Sequence, residues 1–330
     1  MNVINVLILS INDSCHADEF LFKTHSYNTM YISLHDNSGK FGWFFYKVLY
    51  RLKLYKLCTF FLGYIIKKRV SFMNFDYIFI NEGACSEYLI EYLLPRSNAK
   101  IVFQYWNTIE KIQGEQLNYI HKYKNNSRVF FQSFDYHDSQ KYQLHYNYQF
   151  APCLSNFPAK PTTSMKKGSK ALFVGVDKNR LPKIMKVAEA LDKIGFSSKL
   201  YIFPDIERNY SEKEKRYLYK GEKFDYIDIV SMINEIDVII DIVQDGQNGM
   251  TWRPLEALFY QKKLITNFVK IINYDFYAPE NIFIIGRDDV SELRNFLEKP
   301  LKPISKKIKE KYTFDGCMEH IICELKKTSM

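Results

Sequence analysis

No two of the six cysteines, at positions 15, 58, 85, 153, 317 and 323, stand at C-x-x-C spacing. A zinc knuckle or a thioredoxin-type motif is therefore excluded. Thiols scattered over a chain of this length fit a reduced, cytosolic protein. There is no G-x-G-x-x-G anywhere, which weakens a nicotinamide-dependent oxidoreductase reading. No low-complexity tract and no repeat of the length of known repeat modules occurs. Long apolar runs are also missing. The N-terminal MNVINVLILSIND has no basic start, and its apolar run is too short for a signal peptide; it is expected to form a first buried strand. The longest other apolar stretch is Leu57 to Ile66, broken only by Thr59 and Gly63. Ten residues of helix cannot cross roughly 30 Å of hydrocarbon, so no integral membrane segment is expected.

What is present points to a globular α/β protein. A chain of 330 residues exceeds the usual size of one hydrophobic core, so two domains are expected. The surplus of 46 Lys and Arg over 37 Asp and Glu gives a formal charge of +9. Such a surface either attracts phosphates of some kind or simply keeps a chain with 26 Phe and 25 Tyr in solution. The aromatics follow no RNA-recognition pattern, and no nucleic-acid partner is expected.

Short apolar runs alternate with helical patterns nearly throughout. In the first half, residues 3–9, 76–81 (DYIFIN), 100–104 (KIVFQ) and 128–132 (RVFFQ) read as strands. Asn107-Thr108 looks like the cap of a helix running to about 123, and His137 like part of a helix start. Residues 158–170, PAKPTTSMKKGSK, have linker composition. The alternation then resumes with ALFVGV at 171–176 and, as the most convincing buried strand, DVIIDIV at 237–243. This order implies βαβ units and parallel sheets. It gives a first domain over 1–157, a linker over 158–170, a second domain over 171–305 and a basic helical tail over 306–330.

In open α/β sheets, ligands bind beyond the carboxyl ends of the strands, and three loops stand there. The first is 244–256, QDGQNGMTWRPLE. Thr251 is expected to cap a helix whose free N–H groups would attract an anion. Gly249, with Met250 beside it, lets the backbone approach a diphosphate, and Arg253 can add a bidentate contact. Glu256 is placed to accept hydrogen bonds from two ribose hydroxyls. An ordinary βα loop with a capped helix is the structural alternative. The second loop is 175–183, GVDKNRLPK, where Lys178, Arg180 and Lys183 cluster; it is either a phosphate cradle or a solvated basic loop. The third is 10–18, SINDSCHAD, in which Asp13, His16 or Asp18 could act as general base. Glu82, after DYIFIN, is a further candidate. Each of these also suits a solvated loop.

The stretch DVIIDIVQDGQNGMTWRPLEAL, from Asp237 through Leu258, resembles the donor-binding segment of bacterial lipopolysaccharide and capsule glycosyltransferases. KKLITNFVKIINYDFYAPENIFII, QYWN at 104–107 and the run from Phe134 to Tyr146 are similar to the same group. The resemblance implies the GT-B fold, two Rossmann-like lobes facing each other across a cleft, with the tail helix crossing back to the first lobe. It implies a nucleotide-sugar donor, UDP-linked by default, in the second lobe and a glycan or lipid-linked acceptor in the first, in O-antigen or capsule synthesis. By that pattern Glu256 holds the ribose, Thr251 and Arg253 sit near the diphosphate, and Lys178 or Arg180 neutralises it. Many retaining members carry another glutamate before this one, separated from it by seven residues; here that position is Asn248. The chain has no D-x-D triplet, which argues against a metal-held donor of the other glycosyltransferase class, so no metal or other cofactor is expected. A nucleotide-sugar epimerase of the same fold and a non-enzymatic binder of nucleic acid or anionic glycan are the rival functions.

Residues 41–69 combine aromatics with Lys47, Arg51, Lys53, Lys56, Lys67, Lys68 and Arg69. Such a segment suits either an anionic membrane interface, at the inner face of the cytoplasmic membrane, or a pair of core helices with snorkelling lysines.

Overall fold

The computed structural model describes residues 3–11, 18–70, 74–82, 88–109, 115–152, 169–206, 208–245 and 247–327. The chain divides into two compact units: residues 1–148 with 317–330, and residues 149–316. The linker expected at 158–170 lies almost wholly outside the described residues.

The first unit contains β1 (Asn5–Ser10), α1 (Asp18–Leu21), β2 (Asn28–Ser33), α2 (Leu34–Arg51) and α3 (Tyr55–Arg69). It continues with β3 (Tyr77–Asn81), α4 (Tyr88–Leu93), β4 (Lys100–Tyr105), α5 (Glu115–Tyr123), β5 (Val129–Ser133), α6 (Tyr136–Tyr142) and β6 (His145–Tyr146). Its strands form one parallel sheet in the order β2-β1-β3-β4-β5-β6. The central strands are buried on both faces: Val6, Leu7, Ile8 and Leu9 are fully enclosed, as are Ile78, Phe79 and Ile80. This is why they read as unbroken apolar runs rather than alternating ones.

The second unit contains β7 (Lys170–Val176), α7 (Leu181–Lys193), β8 (Ser197–Phe203), α8 (Glu212–Lys215), α9 (Tyr226–Asn234) and β9 (Val238–Asp241). Then come α10 (Arg253–Phe259), β10 (Lys263–Thr266), β11 (Ile282–Ile284), α11 (Leu293–Glu298) and α12 (Lys306–Glu310). Its sheet is parallel, in the order β11-β10-β9-β7-β8. Ala171, Phe173, Val238, Ile240 and Ile265 build its core against Ile184, Val187 and Leu191 of α7. The last helix, α13 (Phe314–Lys327), has Cys317 onward in the first unit. There the side-chain amide of Asn147 donates to the Cys317 carbonyl at 3.2 Å.

Two local expectations are corrected. The Asn107 side chain does not cap a helix start but donates, with its amide, to Glu82; residues 110–114, where the expected helix would begin, lie outside the described residues. Thr251 is not the cap of α10. That helix starts two residues later, with Trp252 at its cap position and no side-chain capping bond, because the Thr251 hydroxyl is taken by Asp241.

Candidate functional site

In the second unit the ends of β7 and β9 carry a buried ionic cluster. Asp241, the last residue of β9, is fully enclosed. Its carboxylate accepts from the Thr251 hydroxyl at 2.9 Å and the Thr266 hydroxyl at 3.0 Å. It also faces the Arg253 guanidinium at 3.5 Å. Arg253 donates to the carbonyl of Val174, and its guanidinium carbon lies 4.9 Å from the centre of the Phe173 ring. Arg180 lies 5.3 Å from the centre of the same ring. Gly175 makes this crowding possible: a Cβ there would stand 2.5 Å from Arg253 Nη2 and 3.5 Å from Arg180 Nη2.

The two arginines play different parts. Arg180 is buried and its guanidinium is spent on backbone carbonyls, those of Asp177 at 3.0 Å, Ile242 at 2.7 Å and Val176. It ties the end of β7 to the end of β9. Burial, with the charge of Arg253 adding to it, lowers its pKa to about 10, so it stays charged at neutral pH. Arg253 is partly open to solvent. Asp177, also enclosed, accepts from the Leu181 amide at 2.6 Å and so anchors the start of α7. Its other oxygen takes Arg208 and the Tyr210 hydroxyl. Between these anchors Lys178 and Asn179 are exposed and hold left-handed backbone, with φ of 45° and 62°. Two successive non-glycine residues in that region store strain. Lys183, expected among the phosphate contacts, pairs with Asp245 at the surface.

Glu256 lies one turn into α10 and is only 6% exposed. Desolvation drives its carboxyl up to about 7, opposed by the nearby Arg253 charge and a hydrogen bond from Tyr226. Met250 is fully buried, and the Gly249 carbonyl accepts from the Gln247 side chain at 2.9 Å. Asn248 accepts from Lys270 at 2.6 Å. The structure thus brings Lys178, Arg180, Thr251, Arg253 and Glu256 to one end of the sheet. It adds Asp241, Asp177, Tyr226 and Lys270, none of which was singled out from the sequence. Asp241 had a signal: it is the second of the two acids in DVIIDIV, set among apolar residues, where burial on both faces leaves a charge unexplained unless it is paired.

In the first unit the ends of β1, β3 and β4 meet. Asn81 donates to the Ser10 hydroxyl at 3.4 Å and accepts from the Trp106 indole. Glu82 accepts from the backbone amides of Trp106 and of Asn107, the latter at 2.9 Å, and from the Asn107 side chain at 3.2 Å. Desolvation raises its pKa above the ordinary value, against the lowering effect of those bonds. Asp13 and His16 lie outside the described residues. His137 sits at the start of α6, where Asp135 accepts from its amide at 2.9 Å. Among the described residues no three His, Cys, Asp or Glu side chains stand close enough to hold a metal ion.

No family model and no curated protein matches the chain. Solved structures do match over its whole length. A sucrose-phosphate synthase from Thermosynechococcus elongatus is 13% identical, over 98% of this chain and 100% of that one, with a TM-score of 0.55. A UDP-forming α,α-trehalose-phosphate synthase from Burkholderia xenovorans is 12% identical, over 99% and 100%, with a TM-score of 0.54. Anabaena HepE, solved in complex with UDP and glucose, is 9% identical, over 99% and 98%, with a TM-score of 0.52. At such identities the likeness is one of fold: two α/β domains with parallel sheets of six and five strands, the GT-B architecture.

Proposed function

We propose that this chain is a glycosyltransferase. It moves a hexosyl group from a nucleotide-diphosphate sugar, UDP-linked, to a saccharide or lipid-linked saccharide in bacterial surface-polysaccharide synthesis. The observation that carries this reading is the convergence of Arg253, Thr251 and buried Glu256 at the carboxyl ends of β7 and β9, in a chain that takes the GT-B fold over its full length. The likeness of the Asp237–Leu258 segment to surface-glycan enzymes supports the choice of acceptor class.

The donor diphosphate would lie against Lys178 and Arg253, with Arg180 bracing the loop behind them rather than touching the ligand. Glu256, when ionised, accepts from the ribose hydroxyls. Fixed cations stabilise charge as it develops on the departing diphosphate, so turnover is expected to persist in a metal chelator. In an inverting transfer the acceptor hydroxyl loses its proton to a general base. Its oxygen then attacks the anomeric carbon, and the bond from that carbon to the diphosphate oxygen breaks, releasing the nucleoside diphosphate. Glu82, Asp13 and His16 are the candidate bases. Glu82 has the best-defined position, because the 106–107 amides fix its carboxylate.

The test is the melting temperature in the presence of UDP, GDP, dTDP, CMP and ADP. A ligand at a hundredfold its Kd stabilises the folded state by about 2.7 kcal/mol. A rise with UDP that disappears in Arg253→Ala is expected. No rise with any nucleotide refutes the donor site.

A further inference from the structure

The first unit carries a surface that the proposed chemistry does not use. Helices α2 and α3 form a hairpin joined at residues 52–54. Gly39, at φ 64°, breaks α2 and starts its second segment on a new course. The inner faces of the hairpin are ordinary core: Tyr46, Leu49, Cys58, Leu62, Ile65 and Ile66 are buried. Gly42 lets Phe61 approach, since a Cβ there would meet its ring at 3.1 Å.

The outer faces are the opposite of what a solvated helix shows. Phe41 is 92% exposed, Phe44 67% and Phe60 71%, and Phe45 is also open. Positions 41, 44 and 45 share one stripe of α2, and 57, 60 and 64 share one stripe of α3, by helical spacing. Taking an aromatic side chain as roughly 200 Å², the four phenylalanines alone leave roughly 550 Å² open. Phe45 meets Phe61 of α3 with ring centres 5.9 Å apart, which brings the two stripes together, and Leu57 and Tyr64 carry the open apolar area beyond the few hundred Å² usual for the largest patch of a monomer.

The charges around the patch have one sign. Lys47 and Arg51 flank the α2 stripe and Lys68 continues that of α3, all exposed. The Lys68 ammonium lies 4.5 Å from the centre of the Tyr64 ring. No Asp or Glu occurs between residues 37 and 75. A second copy of the chain is a poor occupant, because a two-fold contact would set these cations against themselves. No helix of the described residues is long and apolar enough to cross a membrane, so the hairpin cannot be a span.

We propose that the outer face of the α2–α3 hairpin docks this protein on an anionic lipid bilayer, with the aromatic stripes entering the acyl boundary and the cations meeting headgroup phosphates. Ser33, the cap of α2, pairs in register with Ser10 of β1. The hairpin therefore starts at the same carboxyl end of the sheet as Asn81 and Glu82, which suits the lipid-linked acceptor of the proposed function.

The experiment is co-sedimentation of the full chain with vesicles of phosphatidylcholine alone and of phosphatidylcholine mixed with phosphatidylglycerol, in low and high salt. Sedimentation velocity without lipid accompanies it. Partition onto the mixed vesicles is expected, at least roughly tenfold above that onto the neutral ones and reduced by salt. The triple variant Phe41→Ser, Phe44→Ser, Phe60→Ser should lose binding roughly tenfold or more while keeping its melting temperature, since all three side chains are exposed. Lys47→Gln with Arg51→Gln and Lys68→Gln should lose the anionic preference. Absence of binding to either vesicle overturns the proposal. So does a dimer in lipid-free solution that the phenylalanine variant abolishes. Neither readout involves nucleotide, so this surface and the donor site fail or stand separately.

Discussion

Glu256 offers the sharpest test, because its burial and its proposed role pull its proton in opposite directions. Desolvation raises the carboxyl from 4.5 to about 7. In the unfolded chain it is ionised above about pH 4.5, so the folded state binds the extra proton between pH 4.5 and 7. Stability therefore falls as pH rises through that window and stays reduced above it. At 1.36 kcal/mol per unit, the cost at pH 8 is about 3 kcal/mol. Glu256→Gln keeps the shape and removes the ionisation. Its melting temperature at pH 8 should exceed that of the unmodified chain, by roughly 5–10 °C for a unit of this size, and the gain should shrink toward pH 5.

Donor affinity should move the other way. A ribose diol needs the ionised carboxylate as acceptor, and with a pKa near 7 the ionised fraction drops about tenfold from pH 8 to pH 6. UDP-glucose is the right ligand, since its diphosphate has no terminal group titrating in that range whereas free UDP does. Titration calorimetry should therefore show affinity for UDP-glucose falling about tenfold between pH 8 and pH 6, and a weak, pH-independent affinity in Glu256→Gln. Equal pH dependence in both proteins, or a variant no more stable at pH 8, would refute the reasoning.

Asp241→Ala strands Arg253 and two hydroxyls in a buried cluster, so urea unfolding should show a loss of about 3–5 kcal/mol; a loss below about 1 kcal/mol would mean the cluster is not cohesive. Gly175→Ala drives a methyl against Arg253, and UDP affinity should fall about tenfold for one lost charge-assisted contact, with circular dichroism unchanged. Cys317, buried with its thiol pushed up to about 12 by desolvation, should alkylate at least roughly a hundredfold more slowly than exposed Cys323; peptide mass spectrometry after iodoacetamide at pH 8 measures the ratio.

Strands buried on both faces were legible in the sequence because parallel packing removes alternation: DYIFIN, ALFVGV and DVIIDIV all contain strands of the observed sheets. β2 was not, since it lies at the sheet edge and its NTMYIS mixes exposed and half-buried positions. The loops after β7 and β9 do gather polar residues, as their composition suggested. Which polar residue does what was not legible, because the deciding partners are distant in the chain. Arg180 reads as a phosphate ligand from its loop, but a carbonyl 62 residues away claims its guanidinium. Thr251 reads as a cap until the carboxylate ten residues before it is seen to hold its hydroxyl.

That division of labour bears on how the site would work. A cation that must be recruited to a ligand loses side-chain entropy on binding, whereas one already held loses little. Arg253 is fixed before any ligand arrives: the Val174 carbonyl, Asp241 and the Phe173 ring define its place. Arg180 and Asp177 fix the backbone under Lys178 and Asn179 in a conformation that neither residue prefers. Strain of this kind persists only where surrounding structure over-determines it, and here buried Asp177 and Arg180 supply that constraint. Buried ion pairs contribute little net stability, since desolvation offsets their attraction. The cluster is better understood as a rigid mount than as a source of stability, and a rigid mount is what stabilising a departing diphosphate requires.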